Sequence, residues 1–510
     1  MAVQSRSPAT VLPVVLGLAL AFTVTVVDPL MLSLNLPQIS RALQVPPHVL
    51  GVLGGAATLV VAAAVLAVGS LGDAFGLKRL LMAGLVGNVV VNVLAALSPS
   101  YGFLLAMRLL DGLVLAALVG VSLALLKVSV PADRRPQAIG FFMATEMLLC
   151  GVMPAVGGWV AEAVGWRWLF LVAPLMSLSA LGLTARYVRE PDAEQRRRLD
   201  LVGVCLVGLA LLALVHGMAE AQNGFSRPQA WLPLVLSAAT VALFVLHERR
   251  SAHPALNLTL FRSAPFTVAV LANLTLNFLA AGFSFSLGQF GSVILALPPR
   301  TIGLLYLPGT LAVAGAVILT GHLVGKYTPK PALITGLMVL VASTLLIAAT
   351  AGPTMALWVL VLATWLCNLG ALVTATAVSE TVLAHAPTGE TGAVASVQQA
   401  FGMTGYALGP TVYLLLFNFF FHRRWIADAK ARSTSLSRAA EAVDATRSAM
   451  AHSPGAAGYD LNLLRQASGL RLDLDFTNGL RLTMLAVSIL PLALALAAFL
   501  LLPRRHRTAP

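Results

Sequence analysis

The sequence predicts an all-α polytopic membrane protein with fourteen transmembrane helices. Apolar stretches of 18 or more residues without a charge recur along the 510-residue chain, and a helix of that length crosses the hydrocarbon of a bilayer. Only 10% of the residues are charged and mean hydropathy is +0.87, whereas soluble domains carry about 25% charged residues. The weak, ten-residue alternating segments of a membrane β-barrel are not seen.

The predicted spans run 10–36, 48–70, 79–98, 102–127, 137–161, 166–188, 200–218, 231–247, 266–289, 302–324, 331–350, 354–378, 391–421 and 480–503. The first begins near Thr10 and continues past Pro29. It is too long for the apolar region of a signal peptide and leads into further spans, so it reads as a retained helix. The second is the charge-free run Val49 to Val68, followed by GSLGDAFGLKR, Gly69 to Arg79. Cys150, Cys205 and Cys367 all fall inside spans, with no disulfide framework or zinc spacing.

An even number of spans puts both termini on one face. Nineteen basic residues fall in the segments on that face, against four (Arg41, Arg167, Arg227 and Arg300) in the short segments opposite. The excess places both termini in the cytoplasm, in the plasma membrane. The same asymmetry accounts for the net charge of +13 without nucleic-acid binding.

Two longer inner loops, Arg189 to Arg198 and His247 to Ser263, divide the spans six, two and six. The expected organisation is an N-terminal six-helix bundle (1–188), a linker with two inserted helices (189–263) and a C-terminal six-helix bundle (264–510). Internal six-helix halves are a transporter pattern. The segment 422–479 is an outer loop, read either as a solvated hairpin on the surface or as an element of a gate.

Few charges lie inside the spans, and a charge at the bilayer centre costs roughly 2.5–3.5 kcal/mol on insertion scales. Asp28 is in span one, Arg108 and Asp111 in span four, and Glu146 in span five. A rise of about 1.5 Å per residue puts Arg108 roughly 9 Å, Asp28 about 12 Å and Asp111 about 13 Å below the outer surface. Asp111 is three residues from Arg108 and nearly on its face, and Asp28 reaches Arg108 if spans one and four are neighbours. Glu146, about 14 Å above the inner end of its span, shares a face with Cys150, Met153 and Gly157, which suits a helix looking into the bundle. Burial favours the neutral form of a carboxyl and a nearby arginine the ionised form. A cationic substrate would therefore expel a proton from such a site, which is antiport. The other reading is a set of static interhelical ion pairs.

In GSLGDAFGLKR the glycines allow quick turns and close backbone approach, and Lys78 and Arg79 hold the loop on the cytoplasmic side. Asp73 either latches the loop to a helix start in the other half of the molecule or pairs locally with Lys78 or Arg79.

That stretch resembles the loop 2–3 signature of the major facilitator superfamily, G-x-L-a-D-r-x-G-r-k, through Gly69, Leu71, Asp73, Gly76 and Lys78; Ala74 replaces its arginine. A faded copy, GHLVGKYTPK from Gly321 to Lys330, has Gly325 in place of the acid. VDPLMLSLNLP, Val27 to Pro37, resembles the first-span motif of the fourteen-span drug:proton antiporters. RLLDG, Arg108 to Gly112, resembles the span-four motif R-x-x-Q-G, with Asp111 for the glutamine. MPAVGG, Met153 to Gly158, resembles the span-five motif G-P-x-x-G-G.

The resemblance implies two bundles rocking about a central cavity, and export of lipophilic, cationic drugs or biocides driven by the proton gradient, with no cofactor. The intramembrane charges Asp28, Arg108, Asp111 and Glu146 are then the expected proton-coupling residues. Gating falls to Gly69, Asp73, Gly76 and Lys78, with Pro154, Gly157 and Gly158 as a bending and packing point. Substrate contacts would come from Asp28, Glu146, Met143, Met147, Asn273, Asn277, Phe278 and Phe283. Aromatic rings hold organic cations, though a phenylalanine in a span equally faces lipid or core. Relatives often carry an acid in span thirteen, where this chain has Gln398 and Gln399.

The expected partners are lipophilic small molecules, protons and the lipid bilayer, with the protein a monomer. An exporter of one specific metabolite is the alternative on the same fold. A transporter-like ligand sensor is the alternative of another class, though it would be expected to have lost Asp28 and Arg108. An enzyme is disfavoured, because the nine histidines are scattered without an HExxH pair, and no GxxxxGK[ST] loop appears.

Overall fold

A computed structural model describes residues 8–131, 135–190, 200–221, 227–251, 258–305, 307, 329–384, 391–432 and 472–502. The side chains of Asp73, Met143 and Met147 lie outside the described set, as do most of predicted span ten, the start of the GHLVGKYTPK copy and most of the 422–479 segment.

The described chain is helical, with no strand among the described residues. α1 (Pro8–Leu43), α2 (Pro47–Phe75), α3 (Leu77–Ala96), α4 (Tyr101–Ser129) and α5 (Arg135–Ala163) are followed by the short α6 (Trp166–Leu169) and by α7 (Val172–Tyr187). α8 (Leu201–Ala221) and α9 (Pro228–Arg250) form a hairpin. A 3₁₀ turn (Leu258–Arg262) leads into α10 (Ala264–Val293), α11 (Pro299–Leu304), α12 (Pro329–Thr350), α13 (Leu357–Ala384), α14 (Thr391–Arg432) and α15 (Leu472–Leu501). Eleven of the described helices are long and apolar enough to cross a membrane, by length and composition. Shorter apolar stretches, Val49–Val65 and Cys205–Ala221, lie within α2 and α8.

The helices outrun the apolar runs that predicted them. α1 carries Pro13, Pro29 and Pro37 in its interior and continues to Leu43, because neighbouring helices compensate the carbonyls that proline leaves unpaired. Predicted span six is instead a short and a long helix, parted at Phe170 and Leu171. Trp166 packs edge-on to Phe170 beneath the guanidinium of Arg167.

Call the face where α1 starts the near face, and the opposite one the far face. α1 packs on α4, α5 and α7, and α3 on α4 and α7. α10 packs on α13, α14 and α15, and α12 on α13 and α15. These two groups of helices meet in their far halves. Gly288 of α10 brings its backbone against the Ser33 and Leu34 carbonyls of α1; Ser33 is the carbonyl that Pro37 cannot pair. Gly51 and Gly55 of α2 lie against Thr411 and the Ala407 carbonyl of α14. Gly158 of α5 lies against the Pro299 carbonyl of α11, and Gly303 of α11 against the Pro154 carbonyl of α5. Both members of that last pair read Pro-x-x-x-Gly, so each glycine meets the carbonyl of the other helix's proline.

Polar anchors hold the ends. On the near face, buried Lys330 donates to the Phe499 and Leu502 carbonyls at 2.7 Å each, satisfying the last turn of α15. On the far face Arg481 donates to the Ala351 carbonyl at 2.9 Å and Arg167 to the Ser98 carbonyl at 3.2 Å. α8 packs on both α2 and α14, where Leu59, Val215 and Ala407 form a separate apolar cluster.

Candidate functional site

The site is built where α1 crosses α4. Asp28 precedes Pro29 in the middle of α1 and faces α4. Arg108 and Asp111 are three residues apart on α4, which brings them to one face. Arg108 Nη1 lies 2.6 Å from Asp28 Oδ1 and 2.9 Å from Asp111 Oδ2. Arg108 and Asp111 are each 1% exposed and Asp28 is 6% exposed. The three predicted residues therefore meet as one buried cluster.

The cluster extends further than the sequence reading anticipated. α3 places Asn88 and Asn92 one turn apart, both buried, and each donates its amide to Asp111 Oδ1, at 2.9 and 3.1 Å. Ser177 of α7 donates to Asn88 Oδ1 at 2.7 Å. A run of polar groups thus passes from Asp28 on α1 to Ser177 on α7. The signal for it was the spacing of two asparagines four apart in an otherwise apolar span.

One guanidinium stands against two carboxylates. An isolated buried arginine loses several kcal/mol of solvation, so the carboxylates account for its presence. The Arg108 Nε and Nη2 atoms are buried and make no hydrogen bond; all of its described polar contacts go through Nη1.

Glu146 lies midway along α5, half-buried, with no hydrogen bond or ion pair among the described residues. The remaining predicted substrate contacts are not brought to these carboxylates by any described contact. Asn273 donates to the Gln398 carbonyl at 2.6 Å and Asn277 to the Asn273 carbonyl at 2.8 Å. Gly402 and Gly405 let α14 approach α10 so closely that these amides serve the helix crossing. The Phe278 ring packs on Tyr413, with centroids 5.5 Å apart. Phe283 lines a small apolar pocket with residues of α10, α12, α13 and α15, inside the second group of helices. Met143 and Met147 have no described side chains.

The predicted gating residues divide. α2 continues as helix through Gly69 and Asp73 to Phe75, so the turn is tighter than the sequence suggested. The chain reverses on Gly76 alone, at φ +93°, a left-handed conformation that glycine adopts without penalty. The helix start beside it is capped by an acid, and that acid is Glu190. Its Oε1 accepts from the Lys78 backbone N–H at 3.0 Å and its Oε2 from that of Arg79 at 3.1 Å. Lys78 Nζ donates to the Ala185 carbonyl at 3.1 Å, in the last turn of α7. The latch proposed for Asp73 itself lies outside the described side chains. Of the span-five residues, Pro154 and Gly158 meet α11 while Gly157 lies against Met31 of α1.

Comparison with known proteins agrees with this architecture. The chain is 31% identical over 399 residues to multidrug resistance protein Stp of Mycobacterium tuberculosis, across 77% of this chain and 73% of that one. It is 28% identical over 497 residues to the multidrug efflux pump LfrA of Mycolicibacterium smegmatis, across 96% of both. Among solved structures, an inward-facing, unoccupied bacterial homologue of the human lysosomal transporter Spinster aligns over 99% of this chain and 100% of that one, with TM-score 0.66 at 18% identity. A peptide transporter, POT, in complex with sulfate covers 97% and 96%, with TM-score 0.65 at 14% identity. These two likenesses concern the fold. The model of the Major Facilitator Superfamily matches residues 15–410, a span that contains Asp28, Asp73, Arg108 and the Pro154–Gly158 segment, and the chain is a membrane transporter belonging to that superfamily.

Proposed function

We propose that the protein exports lipophilic, cationic drugs or biocides in exchange for protons. It does so by alternating access between two six-helix bundles joined by an inserted helix pair, fourteen spans in all. The near face is cytoplasmic, both termini lie there, and the molecule acts as a monomer in the plasma membrane. One observation carries the proton coupling: Asp28, Arg108 and Asp111 form a buried cluster with one carboxylate in excess of its base. A persistent charge at that depth is a functional candidate. Glu146, without a charged partner among the described residues, supplies a second acid that a cation can neutralise. The relatives named as multidrug resistance and efflux proteins support drug export as the direction and class of transport.

Alternating access requires the bundles to part on one face while they close on the other. The far halves are packed together at Gly51, Gly158, Gly288 and Gly303, which suits a state that admits cargo from the near face. The reading is tested with everted membrane vesicles holding an imposed pH gradient reported by a pH-sensitive dye. Adding a quaternary ammonium compound should dissipate the gradient only in vesicles that contain the protein. An unchanged gradient across a panel of lipophilic cations counts against the reading.

A further inference from the structure

The α8–α9 hairpin touches both groups of helices. α8 packs along α2, which lies with α4 in the first group, and also on α14 of the second. Three buried side chains mark the junction: Leu59 of α2, Val215 of α8 and Ala407 of α14, each 2–3% exposed. Val52 of α2, Leu211 of α8 and Leu408 of α14 pack around them. α9 is fastened to α8. Ser237 donates to the Ala210 carbonyl at 2.8 Å, and Gly217 brings α8 against Leu234 and the Ala230 carbonyl.

The two seats of α8 differ in kind. Gly208 and Val215 are seven residues apart, two turns and about 10 Å along nearly the same face. A Cβ built on Gly208 would stand 3.4 Å from the Ala63 Cβ of α2. α8 therefore follows α2 from Ala63 up to Leu59, with a small residue at the close approach. The described junction with α14 lies further toward the far face and joins apolar side chains: Leu211 and Val215 with Ala407 and Leu408. Lipid tails are as apolar as these groups, so such a contact gains packing alone and is exchanged for lipid at small cost.

Ala407 also belongs to the far closure. Its carbonyl lies against Gly55 of α2, so one residue of α14 meets both α2 and α8. Parting of the far halves takes Ala407 away from Gly55, and α8 cannot then keep both seats.

We infer that the α8–α9 hairpin is a strap carried by the first group of helices: it keeps its seat on α2, covers the α2–α14 seam while the far halves are closed, and gives up α14 when they part. This rests on the alternating-access reading and assigns the inserted pair its movement within it.

Two cross-links test the strap in the full chain in lipid nanodiscs, with Cys150→Ser, Cys205→Ser and Cys367→Ser removing the native thiols. Gly208→Cys/Ala63→Cys ties α8 to α2, at a Cβ separation close to the roughly 3.5–4.5 Å of a disulfide. Val215→Cys/Ala407→Cys ties α8 to α14, by oxidation or by a short bis-methanethiosulfonate. The readout is labelling of Leu34→Cys, beside the far α1–α10 contact, by an impermeant maleimide, which reports opening of the far face whatever the cargo. The first cross-link should leave the labelling rate at that of the reduced protein. The second should abolish labelling, and dithiothreitol should restore it. Labelling that persists with the second cross-link formed overturns the inference, as does failure of that pair to cross-link at all. Loss of labelling with the first cross-link also overturns it and assigns the hairpin to the second group. If Leu34→Cys never labels in the reduced protein, the alternating-access reading itself fails. If it labels there and a cross-link gives the wrong result, only the strap fails.

Discussion

Arg108 offers one nitrogen to two acids: Nη1 stands 2.6 Å from Asp28 Oδ1 and 2.9 Å from Asp111 Oδ2, and its other two nitrogens are buried without hydrogen bonds. The charge balance of this buried cluster therefore depends on a single guanidinium. Arg108→Ala leaves two buried carboxylates without a base, and breaking a buried pair in this way costs about 3–5 kcal/mol. The variant is expected to unfold at lower temperature in detergent and to lose transport. Thermal unfolding followed by tryptophan fluorescence checks it, and a wild-type transition would show that the arginine is not structurally engaged.

The reciprocal contact between α5 and α11 has no room for a side chain. A Cβ on Gly158 would collide with the Pro299 carbonyl, and one on Gly303 with the Pro154 carbonyl. Gly158→Leu and Gly303→Leu should each hold the far face apart and reduce transport below about one tenth of wild type, on the footing that overpacking a close contact displaces backbone. A cysteine placed at the buried Leu34, beside the α1–α10 contact, should react faster with an impermeant maleimide in these backgrounds. Equal labelling rates would rule out this closure.

Glu190 caps α3 from just beyond the end of α7, accepting from the Lys78 and Arg79 backbone N–H groups. Loss of a helix N-terminal cap costs about 0.5–2 kcal/mol. Glu190→Ala should lower the unfolding midpoint modestly while drug efflux stays close to wild type. A loss of efflux with unchanged stability would instead make Glu190 part of the gate.

Glu146 has no charged partner among the described residues, so its charge is not needed to balance another. Glu146→Gln should leave expression and stability intact while efflux of cationic dyes falls more than efflux of neutral drugs. Dye retention in whole cells measures the first and growth inhibition the second. Equal effects on both classes would remove Glu146 from cation recognition.

Much of this arrangement was legible beforehand. Counting about 1.5 Å per residue along each span put Asp28, Arg108 and Asp111 at one depth, because a transmembrane helix has little freedom in height. Asn88, Asn92 and Ser177 escaped notice because neutral polar groups in a span carry a weaker signal than charges. The acid at the loop after α2 drew attention to Asp73, yet the described helix cap comes from Glu190, and no local pattern reports a contact between residues 112 positions apart. Lys330 counted as one more loop charge, but it is buried on the last carbonyls of α15. Phe283 and the Asn273–Asn277 pair read as cavity residues. Their helix packs so closely on α14 and its neighbours that they are used within the group of helices α10, α12, α13, α14 and α15.

The central claim is that Asp28 exchanges a proton for cargo, and purified protein in sealed proteoliposomes tests it directly. Wild-type protein should accumulate a lipophilic cation against its gradient when a pH difference is imposed. Asp28→Asn should still exchange labelled for unlabelled cation across the membrane but accumulate none. Accumulation by Asp28→Asn at the wild-type level would contradict the account.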